Sequence, residues 1–360
     1  MGCTQTEKDL SVSYELHGVD TLYICNLSEV DKTLDVNIGD WLTDFKIVQL
    51  ENTDSALVNG WRYYVTDSYI GISNAGQAPF KLFDHNGKLL CCIGDIGRGR
   101  GEYLVNYSAC IDESRNRICL GSIVSNQLLV YDCAGNFMQS IEFGETLNKA
   151  VLKYEEDGTL SGSQIAFKDM SSFQCFSVDT AGNIEEYSPS TPIPPRDKNG
   201  SFVGYNHEIW SYSNTSLFTY RCSAFDTLYA FHPETGKTLP RFTVKRPDNT
   251  FVFSTELPAC FVFSLTNNGQ DEAYLVDKHK LQAYKIQMFN DYTQLPVRNP
   301  SHVFRNGWYC EMFEPFSLME LIKEELDNPQ CAEEKRKRLL ELQTMIDENG
   351  NNILFIGKLK

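Results

Sequence analysis

The chain has 360 residues, of which 42% are hydrophobic and 22% are charged, as in an ordinary soluble globular protein. Its 32 Lys and Arg residues against 48 Asp and Glu residues give a net charge of −16, and a field of that sign repels nucleic acid, so no nucleic-acid partner is expected. No run of about eighteen apolar residues is present, which argues against a membrane-spanning helix. The 22 Phe and 18 Tyr residues favour strands.

The N-terminus is typical of the processed end of a bacterial lipoprotein. Gly2-Cys3 precedes the polar residues 4–9, and in such proteins the cysteine thiol carries the lipid. We predict that residues 1–9 tether the protein to the cell envelope, at the periplasmic face or the outer-membrane surface. The alternative is an incidental cysteine near a start codon.

The other eleven cysteines show no sign of metal binding. They form no CxxC pair and no Cys/His cluster with zinc spacing. Most lie in apolar, strand-like runs, so we expect buried small hydrophobic side chains. One or two disulfides are the alternative.

The first clear strand, "FKIVQLE" at 45–51, stands before a series of repeated turns. The turns share an Asp or Pro-Glu start and a later Gly. They are "LFDHNGKLL" (82–90), "VYDCAGNFM" (130–138), "SVDTAGNIE" (177–185) and the weaker "AFHPETGKTL" (230–239). An Asp that bonds its own backbone and a Gly with positive φ predict a hairpin turn about every fifty residues.

A second series of turns alternates with the first. It comprises Asn59-Gly60, Asp157-Gly158, Asn268-Gly269 and Asn306-Gly307. Asn-Gly and Asp-Gly are strong hairpin signals, and two turns per repeat imply four short strands in about fifty residues, which is a propeller blade. "MFNDYTQ" at 288–294 takes the place of the missing glycine turn in the fifth repeat.

The predicted fold is therefore all-β, a six-bladed β-propeller with four-stranded blades, and residues 10–360 are expected to form one domain and a monomer. The predicted blades are 55–94, 105–144, 149–188, 201–245, 259–298 and 302–360. The strand at 45–51 is predicted to close the last blade beside its final strand, "ILFIGKL" at 353–359, which removes an exposed edge.

Helical spacing interrupts the last blade at 317–346. Leu339 and Leu342 lie on one face, and Asn328-Pro329 predicts the N-cap and first position of a second helix. Glu333 with Lys337, and Glu334 with Arg338, are favourable pairs on a solvated face. We predict a helical insertion.

The run from Phe83 to Phe143 resembles an NHL-type propeller repeat, and the chain as a whole resembles the six-bladed β-propeller lipoproteins of Bacteroidetes. The resemblance rests on "IVQLENT", on the "GxGxGEY" loop at Gly97–Tyr103 and on the final strand "NILFIGKLK". It implies a propeller in the cell envelope and no established reaction. This chain has Arg100 where the family commonly has Pro, which adds a second guanidinium to the loop.

The loop "IGDIGRGRGEYL" at 93–104 raises the question of phosphate binding. A phosphate-binding glycine loop opens a helix, whereas strand-like sequence follows here, and no Lys-Ser or Lys-Thr is present. A nucleic-acid arm would need several Arg-Gly repeats in a basic chain. The loop is therefore predicted to connect the first two blades.

No catalytic motif was identified. The six histidines are scattered, and no G-x-S-x-G, HExxH or calcium-loop spacing occurs, so no catalytic residue, metal or cofactor is predicted. We predict a non-catalytic binding or scaffolding protein for a glycan, peptide or protein. Candidate ligand-binding residues are Tyr69, Arg98, Arg100, Tyr103, Trp210 and Arg221. The alternative is a hydrolase or lyase for a polysaccharide or lactone, with acidic or metal-binding residues in the channel.

Overall fold

The structure, a computed structural model, describes residues 10–18, 20–203, 206–246, 250–267 and 270–360. Six sheets follow one another along the chain, each built on four strands, and they form the six blades of a β-propeller. The predicted fold class is confirmed. The predicted tether with Cys3, and the turn at Asn268-Gly269, lie outside the described residues.

The chain begins with four strands that pair with blades formed much later in the sequence. They are β1 (Val12–His17), β2 (Asp20–Asn26), β3 (Thr33–Asn37) and β4 (Lys46–Gln49). Short 3-10 helices occupy Leu27–Glu29, Ile38–Asp40 and Glu113–Arg115.

The first three blades and the connection after the first take up residues 60–187. The first blade has β5 (Gly60–Val65), β6 (Tyr69–Asn74), β7 (Phe80–Asp84) and β8 (Leu89–Ile93). A short parallel pair follows, β9 (Asp95–Ile96) and β10 (Glu102–Tyr103). The second blade has β11 (Asn106–Asp112), β12 (Arg117–Ser122), β13 (Val124–Tyr131) and β14 (Phe137–Asn148). The third has β15 (Val151–Tyr154), β16 (Leu160–Ser163), β17 (Cys175–Val178) and β18 (Ile184–Tyr187).

The last three blades complete the ring. The fourth has β19 (Ile209–Trp210), β20 (Phe218–Cys222), β21 (Leu228–His232) and β22 (Lys237–Lys245). The fifth has β23 (Phe251–Glu256), β24 (Cys260–Asn267), β25 (Gln270–Asp277) and β26 (Gln282–Asn290), followed by β27 (Leu295–Pro296). The sixth has β28 (Phe304–Arg305), β29 (Trp308–Phe313), two helices and β30 (Ile353–Lys358). The helices are α1 (Pro315–Asp327) and α2 (Glu333–Thr344).

The repeated Asp turns form hairpins, as predicted, and the structure shows that they join the third and fourth strands of the blades. Asp84 Oδ1 accepts the backbone N–H groups of Asn86 and Lys88 at 2.8 and 3.0 Å, and Gly87 has a φ of +80°. Asp132 and Asp179 bond their own turns in the same way. These local bonds fix the hairpins from which each blade is built.

The fifth blade uses the same turn without a glycine, and the prediction that "MFNDYTQ" supplies it was wrong. Asp277 Oδ1 accepts the N–H groups of His279 and Lys280, and Leu281 takes the left-handed conformation with a φ of +53°. The blade also begins at Phe251 rather than 259, because the hairpin turn after β23 contains no Gly or Asn that would mark it.

The second series of turns is only partly confirmed. Asp157-Gly158 joins β15 to β16, and Asn306-Gly307 joins β28 to β29. Asn59-Gly60 makes no hairpin turn, since Gly60 already belongs to β5 and the Asn59 N–H bonds the side chain of Asn74.

The predicted closure is present. β4 pairs antiparallel with β30, and Val48 and Leu50 are buried in the core of the last blade. The Gln49 amide also donates to the Asn351 backbone oxygen at 2.6 Å. One strand from the N-terminal part of the chain and its last strand therefore share one sheet.

The strands β1 to β3 extend two blades at their outer edges, which was not predicted from the sequence. β2 pairs in parallel with β22 at the outer edge of the fourth blade, and β1 adds to β2. β3 pairs in parallel with β26 at the outer edge of the fifth blade. Residues 12–49, which we call the N-terminal belt, thus cover the outer edges of three consecutive blades.

The helical insertion lies between β29 and β30, as predicted, and Leu339 and Leu342 are buried against the fifth and sixth blades. The predicted cap at Asn328-Pro329 was wrong. Asn328 is the C-cap of α1, and α2 begins four residues after Pro329 with Ala332 at its N-cap. Glu334 pairs with Arg338 at 3.1 Å, whereas Lys337 pairs with Glu341 instead of Glu333.

Candidate functional site

An open cavity of about 870 Å³ lies at one end of the propeller axis, and every blade contributes to its wall. We call it the funnel. Its lining comprises Val65–Asp67 (first blade), Cys110–Arg115 (second), Leu152–Glu156 (third), Ser213 and Asn214 (fourth), Pro258 (fifth), and Asn306–Trp308 with Lys358–Lys360 (sixth). Most of these residues follow the innermost strands, so the funnel forms wherever six such blades close into a ring.

The funnel carries charges of both signs. Lys358 Nζ lies 2.5 Å from Asp67 Oδ1, which links the sixth blade to the first. Lys153 Nζ lies 2.6 Å from Glu155 Oε2 and also donates to the Ser216 backbone oxygen. These exposed or half-buried pairs can exchange partners with a charged ligand at little energetic cost.

Aromatic rings in the funnel wall do not offer a free face. Trp308 is only 8% exposed, and the Lys358 ammonium lies 5.8 Å from the centre of its ring. The Arg117 guanidinium lies 4.8 Å from the centre of the Tyr154 ring. The wall therefore presents charged and hydrogen-bonding groups rather than a stacking platform for sugars.

Beyond the funnel, aromatic rings and three arginines fill the channel, and we call this group the plug. The guanidinium carbon of Arg62 lies 4.4 Å from the centre of the Trp61 ring and 4.1 Å from the centre of the Tyr107 ring. Arg305 lies over Tyr64 and Tyr212, which come from opposite blades. Arg221 lies 4.8 Å from the centre of the Phe251 ring. The plug is thus cationic inside a chain whose net charge is −16.

Burial lowers the pKa values of two groups in the plug. It lowers the pKa of Arg221 to about 10, which leaves the guanidinium charged at neutral pH. It lowers the pKa of His302 to about 4, helped by the positive charges of Arg305 and Arg221, so the imidazole is neutral. The centres of the His302 and Phe253 rings are 4.1 Å apart, and such close packing on an apolar ring fits a neutral imidazole.

Two of the six predicted binding residues meet in the plug. Trp210 and Arg221 are directly opposite each other on β19 and β20. Trp210 packs edge-on against Phe253, with ring centres 4.8 Å apart, while Arg221 is 2% exposed. Arg62 and Arg305 were not predicted, although the segments that contain them, "VNGWRYY" and "FRNGWYC", share the sequence Asn-Gly-Trp.

The other four predicted residues lie away from the channel. Tyr69 is half-buried at the start of β6, where its N–H bonds the Thr66 hydroxyl at 3.1 Å. Tyr103 is buried, and its hydroxyl donates to the Ile93 oxygen and accepts the Phe80 N–H, both at 2.7 Å.

Arg98 and Arg100 are exposed in the connection between the first two blades, where Arg100 lies over the Phe137 ring. The Glu102 carboxylate folds back into this loop and accepts the Gly99 N–H at 2.6 Å. A Cβ atom at Gly97 would collide with the same carboxylate. The loop's own glutamate therefore occupies the place that a bound phosphate would need.

Within the described ranges, no group of three or more His, Cys, Asp and Glu residues could hold a metal ion. No described helix is long and apolar enough to cross a membrane. The eleven cysteines from Cys25 to Cys331 are all free, and eight of them are buried.

The fold and the sequence together assign the chain to a family. The family described as "Domain of unknown function (DUF4934)" matches residues 22–358, and the chain belongs to it. No curated protein matches the chain.

Solved structures match the chain at low identity. A protein from Bacteroides fragilis described as a candidate exported protein is 17% identical, with a TM-score of 0.61, and the match covers 91% of this chain and 98% of the other. A DUF4221 member from Bacteroides vulgatus is 10% identical over 89% of this chain and 97% of the other, with a TM-score of 0.43. Virginiamycin B lyase from Staphylococcus aureus is 12% identical over 67% of this chain and 88% of the other, with a TM-score of 0.39. The first of these matches supports the propeller fold.

Proposed function

We propose that this protein is a non-catalytic binding module that takes a peptide or a protein loop into the funnel. The observation that carries this proposal is the cavity of about 870 Å³ to which all six blades contribute. Its size lies within the range of established ligand sites, but its wall is more polar than that of a typical small-molecule pocket.

The chemistry of the wall favours a peptide over a glycan. Lys358 and Lys153 with their carboxylate partners suit a ligand that carries charges of both signs. Trp308 and Tyr154, which could have stacked on a sugar, are covered by cationic side chains. A glycan is therefore the second choice.

We also infer that the protein works in the cell envelope, anchored by lipid on Cys3. The Gly-Cys start with its polar tether supports this inference, and the similar Bacteroides fragilis protein carries the description of an exported protein.

The test is a binding screen of the purified protein against peptide and glycan arrays, followed by affinity measurements on the best binder. Lys358→Glu reverses one funnel charge, and we expect it to weaken binding about tenfold or more. Lys198→Glu, the same change in an exposed loop between the third and fourth blades, is the matched control and should have no effect.

Two results would overturn the proposal. One is unchanged binding by the Lys358→Glu variant. The other is turnover of a polysaccharide or lactone substrate together with a rise of several degrees in melting temperature on adding a divalent cation, which would favour the enzyme alternative.

A further inference from the structure

The plug contains a buried cation that lacks hydrogen-bond acceptors. Arg221 is 2% exposed, and its Nε, Nη1 and Nη2 atoms have no hydrogen-bond partner among the described residues. A buried charged group normally finds a compensating partner, because burying an uncompensated charge is strongly unfavourable. The guanidinium therefore has donor groups available for a small acceptor beside it.

The carboxylate nearest to Arg221 does not meet this need. Asp226 Oδ1 lies 3.9 Å from Arg221 Nη2, which is beyond hydrogen-bond distance. The Asp226 side chain is 49% exposed and bonds Arg246 at 2.8 Å instead. One half-exposed carboxylate thus faces two guanidinium groups.

A small cavity lies beside Arg221, between the fourth and fifth blades. Its volume is about 10 Å³, and Arg221 and Ser254 are among its lining residues. The Ser254 hydroxyl, 3% exposed, also has no hydrogen-bond partner within the described part of the chain. Two unsatisfied donors from two blades therefore line one cavity.

The remaining wall of the cavity is uncharged. Trp210, Tyr212 and Phe253 supply aromatic surface, and Thr219, Leu228 and Thr255 complete the lining. A volume of this size accommodates one water molecule or one monatomic ion. Water could satisfy hydrogen bonds but would leave the buried charge dependent on the half-exposed Asp226, which also pairs with Arg246.

We propose that this cavity is a binding site for a single halide ion, chloride under physiological conditions, held by the Arg221 guanidinium and the Ser254 hydroxyl. The ion compensates the buried charge and gives both donors an acceptor. Because Arg221 belongs to β20 and Ser254 to β23, the bound ion also joins the fourth blade to the fifth. This site is separate from the funnel and does not depend on the function proposed for it.

The direct test is crystallography of the wild-type protein grown in sodium bromide. Bromide replaces chloride and is located by its anomalous scattering. We expect an anomalous peak in the cavity, within bonding distance of both Arg221 and Ser254. Density there without anomalous signal would mean water, and it would overturn the proposal, as would an empty cavity.

A second test measures melting temperature in sodium chloride against sodium gluconate at equal ionic strength. Chloride should raise the melting temperature of the wild type, because a ligand that binds only the folded state stabilises it. Arg221→Met should abolish this dependence. Ser254→Ala, which keeps the charge, should weaken chloride binding about tenfold by removing one donor to an anion.

The control is Arg98→Met, the same change at an exposed position, which should keep the full chloride dependence. If Arg221→Met does not fold, Ser254→Ala and the bromide peak still decide the question. Equal chloride dependence in the wild type and Ser254→Ala would contradict the proposed site.

Discussion

Asp20 Oδ2 lies 2.6 Å from His232 Nε2, and both side chains are buried where the N-terminal belt crosses the fourth blade. The other ring nitrogen of His232 faces Glu234 at 3.2 Å. This pair joins residues 212 positions apart, so it reports directly on whether the belt is docked.

We expect Asp20→Ala to lower the free energy of unfolding by about 1–3 kcal/mol, because it leaves a buried imidazole nitrogen without its acceptor. Urea denaturation of the two proteins measures the difference. Glu15→Ala is the control on the same hairpin, since Glu15 is exposed and lies 3.5 Å from a partly exposed His17. Equal stability of Asp20→Ala and wild type would show that the contact contributes nothing.

Stepwise truncation should destabilise the protein in two stages. Deleting residues 1–31 removes β1 and β2 and exposes the edge of the fourth blade. Deleting residues 1–52 also opens the sixth blade, where losing the buried Val48 and Leu50 alone costs roughly 3–6 kcal/mol. We expect a lowered melting temperature for the first deletion and aggregation for the second.

Deleting only residues 4–9 is the control for these truncations, and it should leave the melting temperature unchanged. The expected order is contradicted if the protein lacking residues 1–52 melts like the wild type.

The contribution of Glu311 to the stability of the protein should fall as pH rises from about 5 to about 8. Burial raises the pKa of Glu311 from 4.5 to about 7, while Tyr309 donates a hydrogen bond to its carboxylate and the positive charge of Arg298 lowers the pKa only in part. Between these values the folded state holds a proton that the unfolded state has lost. The Glu311 contribution to stability is therefore highest at low pH and decreases by roughly 3 kcal/mol across this window, whereas the contribution of His302, whose pKa burial lowers to about 4, increases over part of it.

Glu311→Gln replaces the carboxyl with a neutral group of the same shape. It should remove this part of the pH dependence and make the variant more stable than the wild type at pH 8. Melting curves of both proteins at several pH values test this, and parallel curves would refute it.

The connection between the first two blades can be tested by a double-mutant cycle. Gly97→Ala should destabilise the protein by about 1 kcal/mol, because its new methyl group displaces the Glu102 carboxylate from the Gly99 N–H. In a Glu102→Ala background the same change should cost much less. Denaturation of all four proteins gives the coupling, and additive effects would show that Glu102 does not set the need for glycine.

Lipid attachment is tested in the full-length protein by Cys3→Ala. We expect the wild type in the membrane fraction and the variant in the soluble fraction, because a polar tether alone has no affinity for lipid. Cys92→Ala, which removes an exposed cysteine of the propeller, is the control. A Cys3→Ala protein that remains with membranes would rule out this anchor.

The parts of the fold that the sequence predicted are those encoded locally. The turns at Gly87, Gly135 and Gly182 are formed by residues close together in sequence, so their spacing along the chain predicts the blades. The turn at Leu281 was not predicted, because a residue other than glycine takes the left-handed conformation there. The related turn at Gly200 belongs to a connection between blades, which shows that the signal alone does not define a blade.

The site was harder to predict for the same reason. Trp210 and Arg221 were predicted to bind a ligand from their residue types, an aromatic ring and a guanidinium. They meet because β19 and β20 pair. Arg62 and Arg305 join them only through the closure of the ring, which no local pattern describes. The belt depends likewise on partners about 200 residues or more distant along the chain.

The N-terminal belt has a consequence for the order of events during synthesis. Residues 12–49 are translated long before their partners β22, β26 and β30. Until then these strands expose unpaired edges, and contacts over such long separations form slowly. The ring cannot close before residues 353–358 are free, so the native sheet of the last blade assembles only after translation of almost the whole chain.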